Sequence, residues 1–405
     1  TLAQVLRAAN MPQFAARALT RLTSVYPENI EAHALLFRVL REAGMHQAAR
    51  QAAEVMYALF PDSREASLAV CGIYMDGKDP DLAMRVADRY LQSHPQDGEM
   101  LMTKASVLMR KGQIEDALEV LGSIPPSDVL APGIASMTAL SRALLQDWQG
   151  VIDTIGPVGA APVPLTQHFI LAAAHIKRAA KDQAATVMTQ ADSDNPLGGL
   201  AGGIILHALG RPMEALSDGE RALAEALAGN DDALADFAAG AAYQVALMHD
   251  DAYLAFKRVD DALAADHDTL VSFMFSSLPH LSRVEDIAAE GRILAERHAS
   301  RSRAWLGYAG LLQRLEDAEG ERAALDKAAE VGPDDPQVFL RRGDFFSRIK
   351  DTQAAAAEYR RLLQLRPNDP VGNNNLAYHL ILTEEDNDEA LRCARLAAQG
   401  LPMNP

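Results

Sequence analysis

Residues 325–336 read LDKAAEVGPDDP, and residues 359–370 read YRRLLQLRPNDP. Each stretch ends an apolar helical pattern at a proline, and these two prolines, Pro333 and Pro367, lie 34 residues apart. The same interval separates three prolines near the other end of the chain: Pro27, Pro61 and Pro95. A period of this length with proline at the seam predicts an array of helical hairpins, in which each unit buries its apolar face only against its neighbours.

Small residues keep the same step. Alanines at a fixed offset from the seam let the second helix of each unit approach the first closely: Ala15, Ala49, Ala83 and Ala117. The predicted units start near these residues: Ile30, Arg64, Gly98, Pro132, Leu165, Pro196, Ala233, Thr269, Ser302, Pro336 and Pro370. The sequence therefore predicts an all-α fold of about eleven helix-turn-helix units plus a leading partial one.

The seam proline is mostly lost in the middle of the chain, between Pro125 and about Ser300. Glycine and aromatic residues still recover units there, as at Gly240 and Phe256. We therefore predict three segments: a regular array over 1–124, degenerate units over 125–300, and a second regular array over 301–405. Residues 402–405 would open another unit, so we expect the last array to be truncated.

Composition excludes some classes of function. The 405 residues carry a formal net charge of -17, which opposes binding to nucleic acid. No uninterrupted apolar run approaches the roughly 20 residues of a membrane span. The two cysteines, Cys71 and Cys393, lie far apart in the sequence and indicate no disulfide-stapled domain.

The repeating residues resemble the tetratricopeptide repeat family. Trp305, Gly343, Ala355 and Tyr359 occupy positions expected in that family, and the two quoted stretches resemble its second helix and seam. The resemblance implies a right-handed superhelical α-solenoid. Residues 373–378 and the alanines that follow resemble late repeats of large bacterial proteins, some of them linked to exopolysaccharide export. This implies a bacterial protein of the cytoplasm or periplasm.

A search of the sequence for reactive constellations gives little. The eleven histidines form no His-Glu-x-x-His motif, and no Cys-x-x-Cys is present, so no zinc spacing exists. No Gly-x-Ser-x-Gly elbow or phosphate loop is present either. We therefore expect no catalytic residues, no metal and no cofactor, and we expect the chain not to be an enzyme.

A binding surface remains. In the resembling family the second, fifth, ninth and twelfth positions of each unit point into a groove. On our register the outer units contribute polar residues to it, among them Glu31, Arg38, Arg41, Arg303, Gln313, Gln337, Asp344 and Asn374. The middle units contribute an apolar floor: Phe169, Ile176, Leu197, Leu200, Ile204, Phe237, Leu270 and Phe273. Such a floor is typical of grooves that accept a peptide or protein partner.

The alternative for the apolar floor is a register that slips by one or two residues in the middle, which would make its eight members core residues. Burial of most of them would decide for that alternative. The family's carboxylate clamp is not supported, because Leu306 and Leu340 stand where its lysines would be.

Three hypotheses for function stay open. The first is a non-catalytic protein-interaction scaffold. The second is the repeat arm of a larger bacterial enzyme, such as a glycosyltransferase, or of an exopolysaccharide secretion assembly. The third is an RNA-reading repeat protein, which the net charge opposes. The sequence leaves the partner and the oligomeric state open.

Overall fold

The computed structural model describes residues 12–77, 79–156, 164–191, 196–211, 213–263, 265–282, 284, 286–383 and 387–400. The chain divides into two compact units, Thr1–Asp192 and Ser193–Pro405. We call them the N-terminal unit and the C-terminal unit. The expected opening of a further repeat at 402–405 lies outside the described residues.

The N-terminal unit consists of α-helices in its described part. They are α1 (Pro12–Val25), α2 (Ile30–Glu42), α3 (His46–Leu59), α4 (Arg64–Asp76), α5 (Pro80–Ser93), α6 (Gly98–Arg110), α7 (Ile114–Gly122), α8 (Ala131–Leu144), α9 (Trp148–Ile155), α10 (Leu165–Lys177) and α11 (Lys181–Thr189). Each helix packs against the next, so the unit grows by stacking successive hairpins.

The C-terminal unit is built in the same way. Its helices are α12 (Pro196–Ala208), α13 (Asp218–Ala228), α14 (Asp231–Val245), α15 (His249–Ala262), α16 (Asp268–Ser277), α17 (Ile287–Arg297), α18 (Ser302–Arg314), α19 (Ala318–Val331), α20 (Pro336–Arg348), α21 (Thr352–Leu365), α22 (Pro370–Thr383) and α23 (Asn387–Gly400). A 3₁₀ turn, Leu278–His280, lies between α16 and α17 and packs on both.

The predicted all-α fold is confirmed. Eight of the eleven predicted unit starts coincide with the first residue of a helix, and the other three lie one or two residues inside one. The handedness of the array and its three-segment division stay predictions. None of the described helices has the length and apolarity that a bilayer crossing requires.

The periodic proline works together with a polar residue two positions later. Asn29 follows Pro27, and its side-chain oxygen accepts a 3.0 Å hydrogen bond from the Ala32 amide at the start of α2. Asp97 caps α6 in the same way, 3.1 Å from the Met100 amide. Proline stops the preceding helix and the cap begins the next, so the seam is encoded locally.

Close helix packing follows a second periodic pair. A Cβ atom added to Gly343 of α20 would lie 2.5 Å from the buried ring of Tyr359 on α21. In α14, a Cβ on Gly240 would lie 2.7 Å from the ring of Phe256 on α15, and the aromatic partner follows sixteen residues later in both hairpins. The middle of the chain therefore keeps the same hairpin packing although it lacks the seam proline.

Polar contacts between successive hairpins also keep the period. Ser302 donates to Asp335 (2.7 Å), His379 lies 3.0 Å from the Ser347 hydroxyl, and Ser282 donates to Asp250 (2.6 Å). The partners lie 32 or 33 residues apart in each case. Equivalent positions of neighbouring hairpins therefore meet, in the middle of the chain as at its end.

Candidate functional site

A groove of about 600 Å³ crosses α16, α18 and α20 in the C-terminal unit. The structure lines it with Ser272, Phe275, Ser276, Pro279, Arg303, Leu306, Gly307, Gly310, Leu311, Gln313, Arg314, Gln337 and Arg341. We call it the α16–α20 groove. Its walls are helices, which hold their side chains more rigidly than loops do.

Helix α18 supplies most of the groove because one of its faces turns outward. Arg303, Leu306, Gly310 and Gln313 recur at steps of three or four residues, which is one face of an α-helix. The opposite face is buried in the core of the unit through Ala304, Ala309 and Leu312. The amphipathic pattern of α18 therefore fixes which side chains face the groove.

Two glycines of α18 play different parts. Gly307 lies against α16, because an added Cβ would be 2.4 Å from the Phe275 ring. Gly310 has no heavy atom within 4 Å of an added Cβ, so it opens into the groove. Gly307 therefore sets the approach of two helices, whereas Gly310 leaves space above the groove.

The two glycines predict opposite effects on stability. We expect Gly307→Ala to destabilise the C-terminal unit by about 1–3 kcal/mol, because the methyl group overpacks against Phe275. Gly310→Ala should stabilise the unit by up to about 1 kcal/mol, because alanine is the better helix former and meets no clash. Urea denaturation of both variants measures the difference, and equal midpoints would contradict this view of the helix contact.

The electrostatics of the groove differ from those of the chain. Arg303, Arg314 and Arg341 are exposed and form no ion pair with any described residue. Among the described residues that line the groove, no aspartate or glutamate occurs. Three unpaired cations therefore converge on one groove in a chain whose net charge is -17.

A smaller neighbouring pocket shares Leu306, Gly310, Gln313 and Arg341 with the groove and is charge-balanced. Arg348 pairs there with the buried Glu321. Asp344 accepts a 2.8 Å hydrogen bond from the Tyr359 hydroxyl. Burial, followed by this contact with Asp344, raises the pKa of Tyr359. Glu321 thus pairs with Arg348 and Asp344 accepts from Tyr359, and neither carboxylate forms an ion pair with the three arginines of the groove.

The groove continues towards α12 and α13. A cavity of about 410 Å³ shares Ser272 and Arg303 with it and is also lined by Leu200, Ser217, Glu220, Asp268 and Thr269. Glu220 is committed to capping, since its carboxylate accepts a 2.8 Å hydrogen bond from the Ser217 amide. This extension is mixed in character, whereas the α16–α20 groove is basic.

Comparison with protein families identifies the helical hairpins. A family model described as tetratricopeptide repeat matches residues 40–107 and 74–140, and a second model of the same description matches residues 322–370. Residues 40–140 and 322–370 therefore carry tetratricopeptide repeats. The first region belongs to the N-terminal unit, and the second covers most of α19 to α21 beside the α16–α20 groove.

Two solved structures resemble the chain at low identity. One is a structure of Naa15/Naa10 bound to HypK-THB, at 14% identity and a TM-score of 0.30, with 98% of this chain and 67% of that chain covered. The other is the crystal structure of yeast Tom70, at 12% identity and a TM-score of 0.38, with 92% of each chain covered. No curated protein sequence matches the chain.

Tetratricopeptide repeats form binding scaffolds, and repeats in two regions therefore indicate a protein-interaction scaffold. The described residues contain no group of three or more histidine, cysteine, aspartate or glutamate side chains that could hold a metal ion.

The structure corrects the predicted apolar floor. Six of its eight members are buried in the cores of the two units: Phe169, Ile176, Ile204, Phe237, Leu270 and Phe273. Leu200 is half-buried and lines the 410 Å³ cavity, as does a small part of Phe273. The side chain of Leu197 lies outside the described residues. The alternative of a slipped register therefore holds for most of these residues, and they form no open floor.

The physical reason is that two helices of the middle, α10 and α14, are buried on nearly all faces. Helix α10 is buried from Thr166 to Ala174, and α14 from Ala233 to Gln244 except at Asp236. A helix that is hydrophobic all round is covered on every side. Within the C-terminal unit, the Phe237 ring lies 5.7 Å from Phe256 and 5.4 Å from Phe273 between ring centres, which forms an aromatic core cluster.

The polar residues of the last units that were predicted for the groove lie at three different places in the C-terminal unit. Arg303, Gln313 and Gln337 all line the α16–α20 groove, and Asp344 lines the pocket beside it. Asn374 is exposed on α22, where its amide donates to Asn375, and it does not line this groove. The register in the last repeats was thus sufficient to bring three predicted residues together.

Three lining residues do not stand at the predicted groove positions: Arg314, Arg341 and Ser276. Arg314 and Arg341 follow predicted groove positions by one residue, about 100° around the helix, and line the groove nevertheless. Ser276 was missed because the register predicted at Thr269 assigns Leu270 and Phe273 to the groove, whereas the structure places Ser272, Phe275 and Ser276 there.

A separate groove of about 800 Å³ lies in the N-terminal unit among α1, α2 and α3. Its lining includes Arg17, Arg21, Leu36 and Val55. The predicted polar residues of this end, Glu31, Arg38 and Arg41, are exposed but do not line it. Arg41 instead pairs with Asp76 at 3.7 Å.

Proposed function

We propose that the protein is a non-catalytic interaction scaffold and that a segment of a protein partner binds in the α16–α20 groove. The observation that carries the proposal is the open space above Gly310, in the centre of a groove walled by three rigid helices. A groove of about 600 Å³ has the volume of an ordinary ligand-binding cleft.

The composition of the groove supports a peptide ligand. Phe275 and Leu306, which are 8% and 7% exposed, give it a small apolar contact area, and the side-chain amides of Gln313 and Gln337 have no hydrogen-bond partner among the described residues. An amide side chain offers both a donor and an acceptor to a peptide backbone. Apolar contacts and amide pairing together are what an extended segment of a partner needs.

Gly310→Leu tests this proposal, because Gly310 lines the groove and a Cβ atom there meets no heavy atom within 4 Å, so we expect the leucine side chain to extend into the groove. The full chain and its Gly310→Leu and Gly310→Ala variants are used to capture proteins from a lysate. We expect a set of proteins retained by the parent chain and by Gly310→Ala but lost, by about tenfold or more in recovery, with Gly310→Leu. Identical sets for all three proteins would overturn the proposal.

A further inference from the structure

The charge of the α16–α20 groove, in addition to its shape, indicates what kind of segment binds there. Arg303, Arg314 and Arg341 approach it from two helices and have no acidic partner among the described residues. Arginine presents a planar fork of donors that matches a carboxylate in two-point contact. Three exposed arginines without an acidic partner give the groove a local positive potential that attracts a carboxylate.

We infer that the segment bound in the α16–α20 groove is an acidic, extended stretch of a protein, whose glutamate or aspartate side chains pair with Arg303, Arg314 and Arg341. This inference rests on the proposed function of the groove. It names the chemistry of the partner, because charge complementarity steers association and rejects wrong partners.

The negative charge of the rest of the chain makes the groove more selective for its partner. A net charge of -17 repels acidic chains from the molecule as a whole, so the groove is a local exception. An acidic segment binds only where its attraction to the three arginines exceeds its repulsion by the rest of the chain. Neighbouring helices lie about 8–10 Å apart, so a groove across three of them spans about 20 Å, or about six extended residues.

The same features disfavour a nucleic acid. Single-stranded nucleic acid is held by exposed aromatic side chains that stack on bases, together with a basic path along the backbone. The aromatic residue among the described lining residues, Phe275, is 8% exposed and packs against Gly307. The apolar residues and free amides suit a peptide with alternating acidic and apolar side chains.

The probe is a fluorescent peptide of alternating glutamate and leucine with an amidated C-terminus, and its control replaces every glutamate by glutamine. Amidation removes the terminal carboxylate, so binding reports on side chains alone. Both peptides are titrated against the full chain at low and high salt by fluorescence anisotropy. We expect the acidic peptide to bind about tenfold more tightly at low salt and to lose this advantage at high salt.

The variant Arg303→Gln/Arg341→Gln removes two groove charges without shortening the side chains much. Its matched control is Arg292→Gln/Arg395→Gln, which removes two exposed arginines of the same unit that do not line the groove. We expect about tenfold weaker binding of the acidic peptide to the groove variant and less than about twofold change in the control. Equal losses in the two variants, or equal affinity for the two peptides, would overturn the inference.

Two further outcomes separate the inference from the proposed function. If Gly310→Leu abolishes binding of both peptides while the arginine variant retains it, the groove binds peptides but not through acidic side chains, and only the inference fails. If Gly310→Leu binds the acidic peptide as well as Gly310→Ala does, both fail. Single-stranded RNA that binds the parent chain more tightly than the acidic peptide does, and that no longer binds the Arg303→Gln/Arg341→Gln variant, would also overturn the inference. The ligand of the groove would then be a nucleic acid.

Discussion

Replacing Phe237 by alanine is expected to destabilise the C-terminal unit by about 3–5 kcal/mol. Phe237 is 0% exposed and contacts the rings of Phe256 and Phe273, so its removal leaves a cavity between α14, α15 and α16. The sequence pattern alone had placed this side chain on a binding surface. A loss of this size separates the two roles, because truncation of a surface residue usually changes stability by less than about 0.5 kcal/mol.

Each unit contains one tryptophan, so the fluorescence of a single tryptophan can report on the unfolding of a single unit. Trp148 lies in α9 and Trp305 in α18. In a Trp148→Phe background, the fluorescence of Trp305 follows the C-terminal unit during urea denaturation. Leu254→Ala serves as the control, because this leucine of α15 is 47% exposed. A destabilisation by Phe237→Ala no greater than that of Leu254→Ala would show that α14 is not core.

Replacing Asp260 by alanine is expected to destabilise the same unit by about 3–5 kcal/mol. Asp260 is buried on α15 and faces two cations from the end of α17: Arg297 Nε at 2.8 Å and His298 Nε2 at 3.3 Å. His298 also lies 2.9 Å from Asp266 through Nδ1. Removing the carboxylate would take away one of the two acidic partners of His298, which is 1% exposed, and one of the two acidic partners of Arg297.

The same cluster predicts a pH dependence. The interaction with Asp260, followed by that with Asp266, outweighs burial and raises the pKa of His298. Because the folded value lies above the ordinary value of about 6.5, the stabilisation is fully present below about pH 6.5 and is lost as the pH rises through the folded value. The other charged groups around it are Arg297, Asp261 and Arg301.

The test compares the parent chain with His298→Gln over a range of pH, again through Trp305. We expect the stability difference between the two proteins to be largest in mild acid and to shrink as the pH rises above about 6.5. Asp260→Asn, which keeps the shape of the side chain but not its charge, should remove the same pH dependence. A difference that grows towards alkaline pH would have the wrong sign for this account.

Much of the fold follows from the sequence because its signals are local. A seam proline and a cap two residues later fix where a helix ends and the next begins, as at Pro27 and Asn29. The close contact of Gly343 with Tyr359 is likewise contained within one hairpin. These features need no knowledge of distant residues, which is why the unit starts at the two ends were predicted correctly.

Predicting the candidate site also requires the rotation of each helix about its own axis, because this rotation determines which side chains face the groove. A slip of one or two residues turns a helix by 100° or more at about 3.6 residues per turn, which exchanges groove and core. The seam proline Pro333 sets this rotation for the unit at Pro336, and Ser302 lies one period of 34 residues earlier, so the predicted positions Arg303 and Gln337 both line the groove. Without a seam at Thr269, the core residues Leu270 and Phe273 were assigned to the groove.

The cluster at His298 was beyond reach of sequence patterns for another reason. Its partner Asp266 lies 32 residues earlier, on the preceding hairpin, and neither residue belongs to the repeating pattern. Such pairs arise only once the neighbouring hairpins are stacked in register. Buried polar contacts of this kind depend on tertiary packing, whereas caps and seams do not.

Photo-crosslinking tests the central claim most directly, namely that the partner surface is the α16–α20 groove and not the apolar middle of the chain. The acidic peptide, with a photoreactive group at its centre, is irradiated with the full chain, and the modified residues are identified by mass spectrometry. We predict modification concentrated in residues 272–279, 303–314 and 337–341 that is lost with Gly310→Leu and kept with Gly310→Ala. Modification concentrated on α10 and α14, or on the groove among α1, α2 and α3, would contradict the account.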